Sequence, residues 1–208
     1  MNTDTDQQLK LPTITSPKIR EFVHEWVAIT TPSRVEVITA TDDARLIQEA
    51  LDAEELLPAG EGCYYARSHR QDTARSEERT VVATSREADR GVYNNWYPAD
   101  EVVATLKARM NNAATHKTLY VVPYLMAVPG TPLAPFAAGV QLTDDRTVVL
   151  HMIRMARVGI HLFDTLENPE FFVRGVHITG NLDTLRISAN RCWPGMGISR
   201  ARCVINCL

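Results

Sequence analysis

Residues 118–159 read TLYVVPYLMAVPGTPLAPFAAGVQLTDDRTVVLHMIRMARVG, and this stretch decides the fold. Leu119 to Pro123 is a near-continuous apolar run, the pattern of a strand buried on both faces. Pro129-Gly130-Thr131-Pro132 is loop chemistry, because two prolines and a glycine break either regular period. Ala138 to Leu142 returns as a second strand. Thr143-Asp144-Asp145 then offers capping oxygens to a helix expected from Arg146 to about Val158, with Gly159 suited to its C-terminus.

Outward from this stretch, helices and strands alternate. Ser16-Pro17 supplies an N-cap and a proline at the first helical position. Ile19, Phe22, Val23, Trp26 and Val27 follow at helical spacing, and Thr31-Pro32-Ser33 ends the run. Val35 to Thr39 is a short strand. Thr41-Asp42-Asp43 caps a helix whose apolar face is Leu46, Ile47, Ala50 and Leu51, and Pro58-Ala59-Gly60 is expected to break the chain. Thr80 to Thr84 is a strand. Pro98 to Met110 is a helix with Asp100 and Glu101 in its first turn, where they suit the helix dipole. Its buried stripe is expected to be Val102, Val103, Leu106 and Met110. Phe171 to Thr179 is a further strand. This alternation gives an α/β (α+β) class, a mixed sheet flanked by helices.

Composition narrows the function classes. The chain has 208 residues, 45% of them hydrophobic and 23% charged, which suits a globular core. A formal net charge of -3 gives no basic excess for nucleic acid or an anionic membrane. No apolar run reaches the roughly 18 residues of a membrane span, and the polar start MNTDTDQQLK has no secretory character. The expectation is a cytoplasmic protein, monomeric, without nucleic-acid or membrane partners. Cys63 stands alone, while Cys192, Cys203 and Cys207 crowd the last 17 residues. Their spacing lacks the paired short intervals of a zinc site, so reduced thiols are expected. His177, in the apolar run FFVRGVHITG, reads as a satisfied core or edge residue, and His151 and His161 read as packing.

The wording of residues 118–159 is also specific. It resembles the amino-terminal lobe of GTP-dependent phosphoenolpyruvate carboxykinases, with their "Tyr-Val-x-Pro-(Phe/Tyr)-x-Met-x-x-x-Gly-(Ser/Thr)-Pro-Leu" run. In that family, too, a "Leu-Thr-Asp" turn and a Met/Arg-rich helix ending in glycine follow. A second segment, Tyr64 to Thr84, YYARSHRQDTARSEERTVVAT, is similar to the family's "Ala-Arg-(Thr/Ser)-x-x-x-Asp-(Val/Thr)-Ala-Arg-x-Glu-x-(Lys/Arg)-Thr" run. Ile-Arg-Glu-Phe-Val near the start and Asn95-Trp96 add weaker likeness. Together the resemblance covers about residues 18–180.

The resemblance implies an α/β lobe packed against a nucleotide-binding lobe, and a reaction of oxaloacetate with GTP giving phosphoenolpyruvate, CO2 and GDP in gluconeogenesis. The arginine after the family's second alanine binds the anionic substrate, and by motif it is Arg75. The chemistry suits a guanidinium, a planar fork of donors that keeps its charge and matches carboxylate or phosphate oxygens. The bland reading is a solvated face, since residues 67–90 hold six arginines beside five acids. Arg67, Arg70 and Arg79 stay with that reading.

Other family parts are not matched. The resemblance implies manganese and GTP as cofactors, yet no phosphate-cradling G-x-x-x-x-G-K-[ST] loop is found, and Lys117 is the last lysine. The family's Tyr-Gly-Gly-Asn substrate loop is not found either. The expected organisation is a disordered lead-in over 1–15, a carboxykinase-like lobe over 16–182 and an irregular tail over 183–208. That tail, with its three cysteines, reads as an out-of-frame or truncated end of a longer coding sequence, the alternative being a genuine short tail with its own role. No catalytic or metal-ligating residue is expected, and no turnover by this chain alone. The alternative is a non-catalytic module that binds a dicarboxylate or a protein.

Overall fold

The computed structural model describes residues 14–66, 81–92, 95–179 and 202–207, with the backbone alone for Thr179 and for 202–207. Its centre is β6, Thr118–Leu125. Successive side chains of a strand point to opposite faces, so an apolar strand serves two cores at once. Leu119, Val121 and Leu125 enter one core, whereas Tyr120 and Val122 enter the other. Every residue from Leu119 to Pro123 is buried, as the apolar run requires.

Five strands lie side by side in the order β1, β6, β7, β9, β10. β1 (Arg34–Val37) runs parallel to β6, and β7 (Ala138–Thr143) antiparallel to it. β9 (Val173–Thr179) is parallel to β7, and β10 (Arg202–Cys207) antiparallel to β9. A two-residue strand, β8 (Arg157–Val158), pairs with Tyr124 and Leu125. The sheet is therefore mixed.

Helices cover both faces. α1 (Pro17–Thr30) begins where the Ser16 hydroxyl accepts the Ile19 amide at 3.2 Å. It buries Ile19, Phe22, Val23 and Trp26, with Met110 of α3 (Ala99–Met110) beside them. On the opposite face, α2 (Asp43–Asp52) brings Leu46 and Ala50, and α4 (Arg146–Met155) brings Val149 and Leu150. Two cores of this kind flanking one sheet make a three-layer α/β/α arrangement.

Two smaller ladders stand off the sheet. β2 (Leu56–Gly60) and β3 (Cys63–Ala66) form a hairpin, and β4 (Val82–Thr84) pairs in parallel with β5 (Trp96–Pro98).

The structure corrects several expectations. Pro58-Ala59-Gly60 does not break the chain; it is an edge strand with a bulge between Pro58 and Gly60, the place where a sheet tolerates proline. α2 has its N-cap at Asp42, within the expected Thr41-Asp42-Asp43, and is preceded by a 3-10 turn capped from Thr39, whose amide donates to the Asp42 carboxylate at 2.8 Å. α4 stops at Met155, because Arg157 and Val158 are needed as the partner strand of β6. Gly159 follows that strand at φ 147°, with the His161 ring where a β-carbon would stand. On α3 only Met110 is buried, and Val102, Val103 and Leu106 are half-exposed. Ile14, placed in the lead-in, is fully buried in the α1 core. Of the stretch 183–208, expected to be irregular, residues 202–207 form strand β10, and the rest lie outside the described residues.

Candidate functional site

Arg75, the substrate-binding candidate, lies outside the described residues, as do Arg67, Arg70 and Arg79. The two ladders flank its segment. On the entry side, Ala66 pairs with Leu56, which is buried against Leu46 and Ala50, so the hairpin is rooted in the α2/α4 core. On the exit side, the Val82 amide donates to the Asn95 carbonyl at 3.0 Å. The Trp96 indole N–H donates to the Thr84 hydroxyl at 2.7 Å, and that hydroxyl donates to the Arg86 carbonyl at 2.6 Å. Family-like wording at Asn95-Trp96 marked this neighbourhood, but only the fold brings Trp96 onto Thr84 twelve residues away.

The described arginines of the same run behave as a solvated face. Arg86 forms a bidentate pair with Asp89 at 2.9 Å, and Arg90 reaches Glu87 at 3.2 Å, both exposed. Such surface pairs contribute little. Elsewhere the cations serve the scaffold. Arg45 contacts Glu36, Asp42 and Glu49; burial works against its charge, and the three carboxylates more than offset this, holding its pKa above the ordinary value. Lys117 reaches the buried Asp144 carboxylate at 2.5 Å, tying the start of β6 to the turn before α4.

Arg146 is the most connected of these groups. It donates to the Tyr120 hydroxyl at 3.2 Å, the Glu49 carbonyl at 3.0 Å and the Glu55 carboxylate at 3.2 Å. Burial disfavours its charge, yet Tyr120, Glu55 and Glu49 keep its pKa raised.

His177 is buried and lies 3.1 Å from the Thr143 hydroxyl, its register partner on β7, so it is a satisfied core histidine. His151 and His161 are exposed, which corrects their reading as packing. Cys63 is exposed and free, Cys192 lies outside the described residues, and Cys203 and Cys207 lie on β10.

Among the described residues no three His, Cys, Asp or Glu side chains gather as a metal site. No described helix is long and apolar enough to cross a membrane. Two described cavities, one near Thr15 and Glu170 and one between Phe22 and Lys107, hold about 170 and 130 Å3. Both are below the roughly 300 Å3 at which small-molecule pockets begin.

Among the described residues the fold is an α/β lobe, a mixed sheet covered by helices on both faces, with two short ladders off it. The chain belongs to the phosphoenolpyruvate carboxykinase family: residues 21–206 match the model of the phosphoenolpyruvate carboxykinase N-terminal domain. It is similar to the phosphoenolpyruvate carboxykinase (GTP) of Anaeromyxobacter dehalogenans (strain 2CP-C), 33% identical over 169 residues, covering 78% of this chain and 28% of that protein. The same-named protein of Treponema pallidum (strain Nichols) is 30% identical over 196 residues, covering 92% and 31%. That of Thermoplasma volcanium is 36% identical over 120 residues, covering 58% and 20%. The chain thus spans about a third or less of the length of these relatives. The family match runs on to residue 206, past the boundary at 182 where the motif likeness stops.

Proposed function

We propose that this chain is the amino-terminal, substrate-holding lobe of a GTP-dependent phosphoenolpyruvate carboxykinase, and that Arg75 binds the anionic substrate. The observation that carries the reading is the family-like run Tyr64 to Thr84, which begins in β3 and ends in β4, in a lobe that belongs to the family. In the proposed role, the Arg75 guanidinium holds carboxylate or phosphate oxygens of oxaloacetate or phosphoenolpyruvate as a rigid fork. It orients the substrate and stabilises negative charge on oxygen as CO2 leaves and an enolate forms. No step in this chain is assigned to GTP or to a divalent metal.

Calorimetry with oxalate, a planar dianion standing in for the enolate, tests the binding role. Wild type should release or absorb heat on titration, and Arg75→Ala should weaken binding at least tenfold. Equal titrations of the two would refute the assignment of Arg75. A coupled assay of the 208-residue chain with oxaloacetate, GTP and manganese should give no phosphoenolpyruvate. Binding without turnover matches the proposed lobe, and also a module that only binds; GTP-dependent turnover would refute both.

A further inference from the structure

β9 carries an arginine on an otherwise apolar face. Arg174, Val176 and Ile178 alternate toward the same side of the sheet, and Val176 and Ile178 are buried in the core that α1 covers. Arg174 stands where that face begins. Its guanidinium lies over the rings of Phe22 and Phe172, 5.9 and 5.5 Å from their centroids. Both rings are buried. Two ring faces within about 6 Å attract the cation and limit where it can go.

The guanidinium has rings but no oxygen. Arg45, Arg86, Arg90, Arg146 and Arg154 each end on a carboxylate. Arg174 makes no ion pair and no hydrogen bond among the described residues. Ring faces attract its charge but supply no lone pair to its N–H donors, which are left for water or a ligand. Arg174 is exposed, so a ligand has access to them.

The cavity of about 130 Å3 between α1, α3 and β9 lies beside this group. Phe22, Trp26, Val103 and Val176 are its apolar walls. The rest of its lining is charged: Arg174, and the pair Lys107 and Glu25. The Lys107 ammonium donates to the Glu25 carboxylate at 2.6 Å. That carboxylate is already matched, and the lining keeps an excess of positive charge.

Each property restricts the ligand. An unpaired guanidinium selects an anion, and its planar fork matches the two oxygens of a carboxylate. Apolar walls suit a hydrocarbon body and disfavour an ion such as inorganic phosphate, whose remaining oxygens would lose water and face carbon. The volume excludes a nucleotide and admits only a short body.

We propose that Arg174 and this cavity form a binding site for a short-chain monocarboxylate, with the carboxylate on the Arg174 guanidinium and the hydrocarbon body between Trp26, Val103 and Val176. The site does not involve Arg75, so it stands or falls apart from the substrate-binding reading.

Butyrate is the probe, titrated at constant ionic strength into the isotopically labelled 208-residue chain and followed by nuclear magnetic resonance. The Trp26 indole N–H and Arg174 Nε–H resonances should shift together and saturate. Butyramide has the same size without the charge and should bind at least tenfold more weakly, as should inorganic phosphate. Arg174→Gln should weaken butyrate binding at least tenfold, and Arg75→Ala should titrate as wild type does. Equal affinity for butyrate and butyramide would overturn the proposal without any variant having to fold. So would the absence of a saturable shift, or phosphate binding as tightly as butyrate, which would reduce the site to a surface charge. Butyrate affinity that survives Arg174→Gln, or that is lost in Arg75→Ala, would overturn it as well.

Discussion

Replacing Arg146 by methionine keeps most of the aliphatic stem and removes the guanidinium, which isolates what its polar contacts contribute. Arg146 is the first residue of α4, the positive end of the helix dipole, where a cation costs about 0.3–1 kcal/mol. Its position is explained by what it joins: the Tyr120 hydroxyl on β6, a carbonyl in the last turn of α2 and the Glu55 carboxylate just before β2. Hydrogen bonds to charged groups contribute about 1.5–3 kcal/mol each when buried. Arg146 is 20% exposed and Glu55 26%, so water recovers part of that on removal. Setting the contacts against the relieved dipole repulsion leaves a net loss of about 1.5–2 kcal/mol. For a chain of this size that lowers the thermal midpoint by roughly 4–6 °C. With a urea m-value of about 2 kcal/mol/M, the unfolding midpoint falls by roughly 0.8 M at unchanged slope. Tryptophan fluorescence in urea reads this directly. A double-mutant cycle with Tyr120→Phe should show coupling of about 0.5–1 kcal/mol. A methionine variant within about 0.5 kcal/mol of wild type would mean the guanidinium is solvated and α2 is held by Leu46 and Ala50 alone, refuting the reasoning.

Gly139→Ala should destabilise by about 1–3 kcal/mol, because a β-carbon there would stand 2.3 Å from the Tyr124 ring and hydroxyl oxygen across the β6–β7 pair; combining it with Tyr124→Ala should cost less than the sum of the single changes, and additivity in chemical denaturation would count against the clash. Asp42 should contribute to acid sensitivity. Burial raises its pKa, but the Thr39 amide and Arg45 outweigh that and hold it below the ordinary carboxylate value. The stabilisation is therefore complete above about pH 4 and lost as pH falls through the lowered folded value; Asp42→Asn should flatten the stability profile below about pH 4, and parallel profiles for the two proteins would refute it.

How much of this was legible in the sequence depended on which forces acted locally. The β6 run was readable because burial on both faces leaves one composition, continuous apolar residues, and Leu119 to Pro123 have it. α1 was readable because Ser16-Pro17 and the Ile19–Phe22–Val23–Trp26 spacing agree. α4 was read three residues too long, since its apolar pattern continues into Arg157-Val158, and only pairing with Tyr124 and Leu125 pulls those residues into a strand. The α3 stripe is legible in part, because periodicity gives a face but not how fully it is covered: Met110 is buried and Leu106 packs against the core, while Val102 and Val103 are only partly covered. β10 was missed because an edge strand pairs on one side, needs no apolar alternation, and finds β9 across a long sequence gap. Arg75 was named through family wording alone, since six arginines among five acids give no local reason to prefer one of them.

The exposed loop and the buried strands beside it belong to the same uncharged stretch, yet the absence of charge has different causes in the two places. From Thr118 to Leu125 and from Ala138 to Thr143 it follows from burial, because an unpaired charge at those positions would have to leave water. At Leu133 and Phe136 in loop 126–137 burial is not the cause, because both face solvent. Turn geometry explains Pro129, Gly130 and Pro132, with Gly130 at φ 76° where a left-handed residue is needed, but it does not explain leucine and phenylalanine at the exposed positions. The loop therefore differs from the strands in cause: burial dictates apolar residues on the strands, whereas on the loop neither burial nor turn geometry accounts for Leu133 and Phe136.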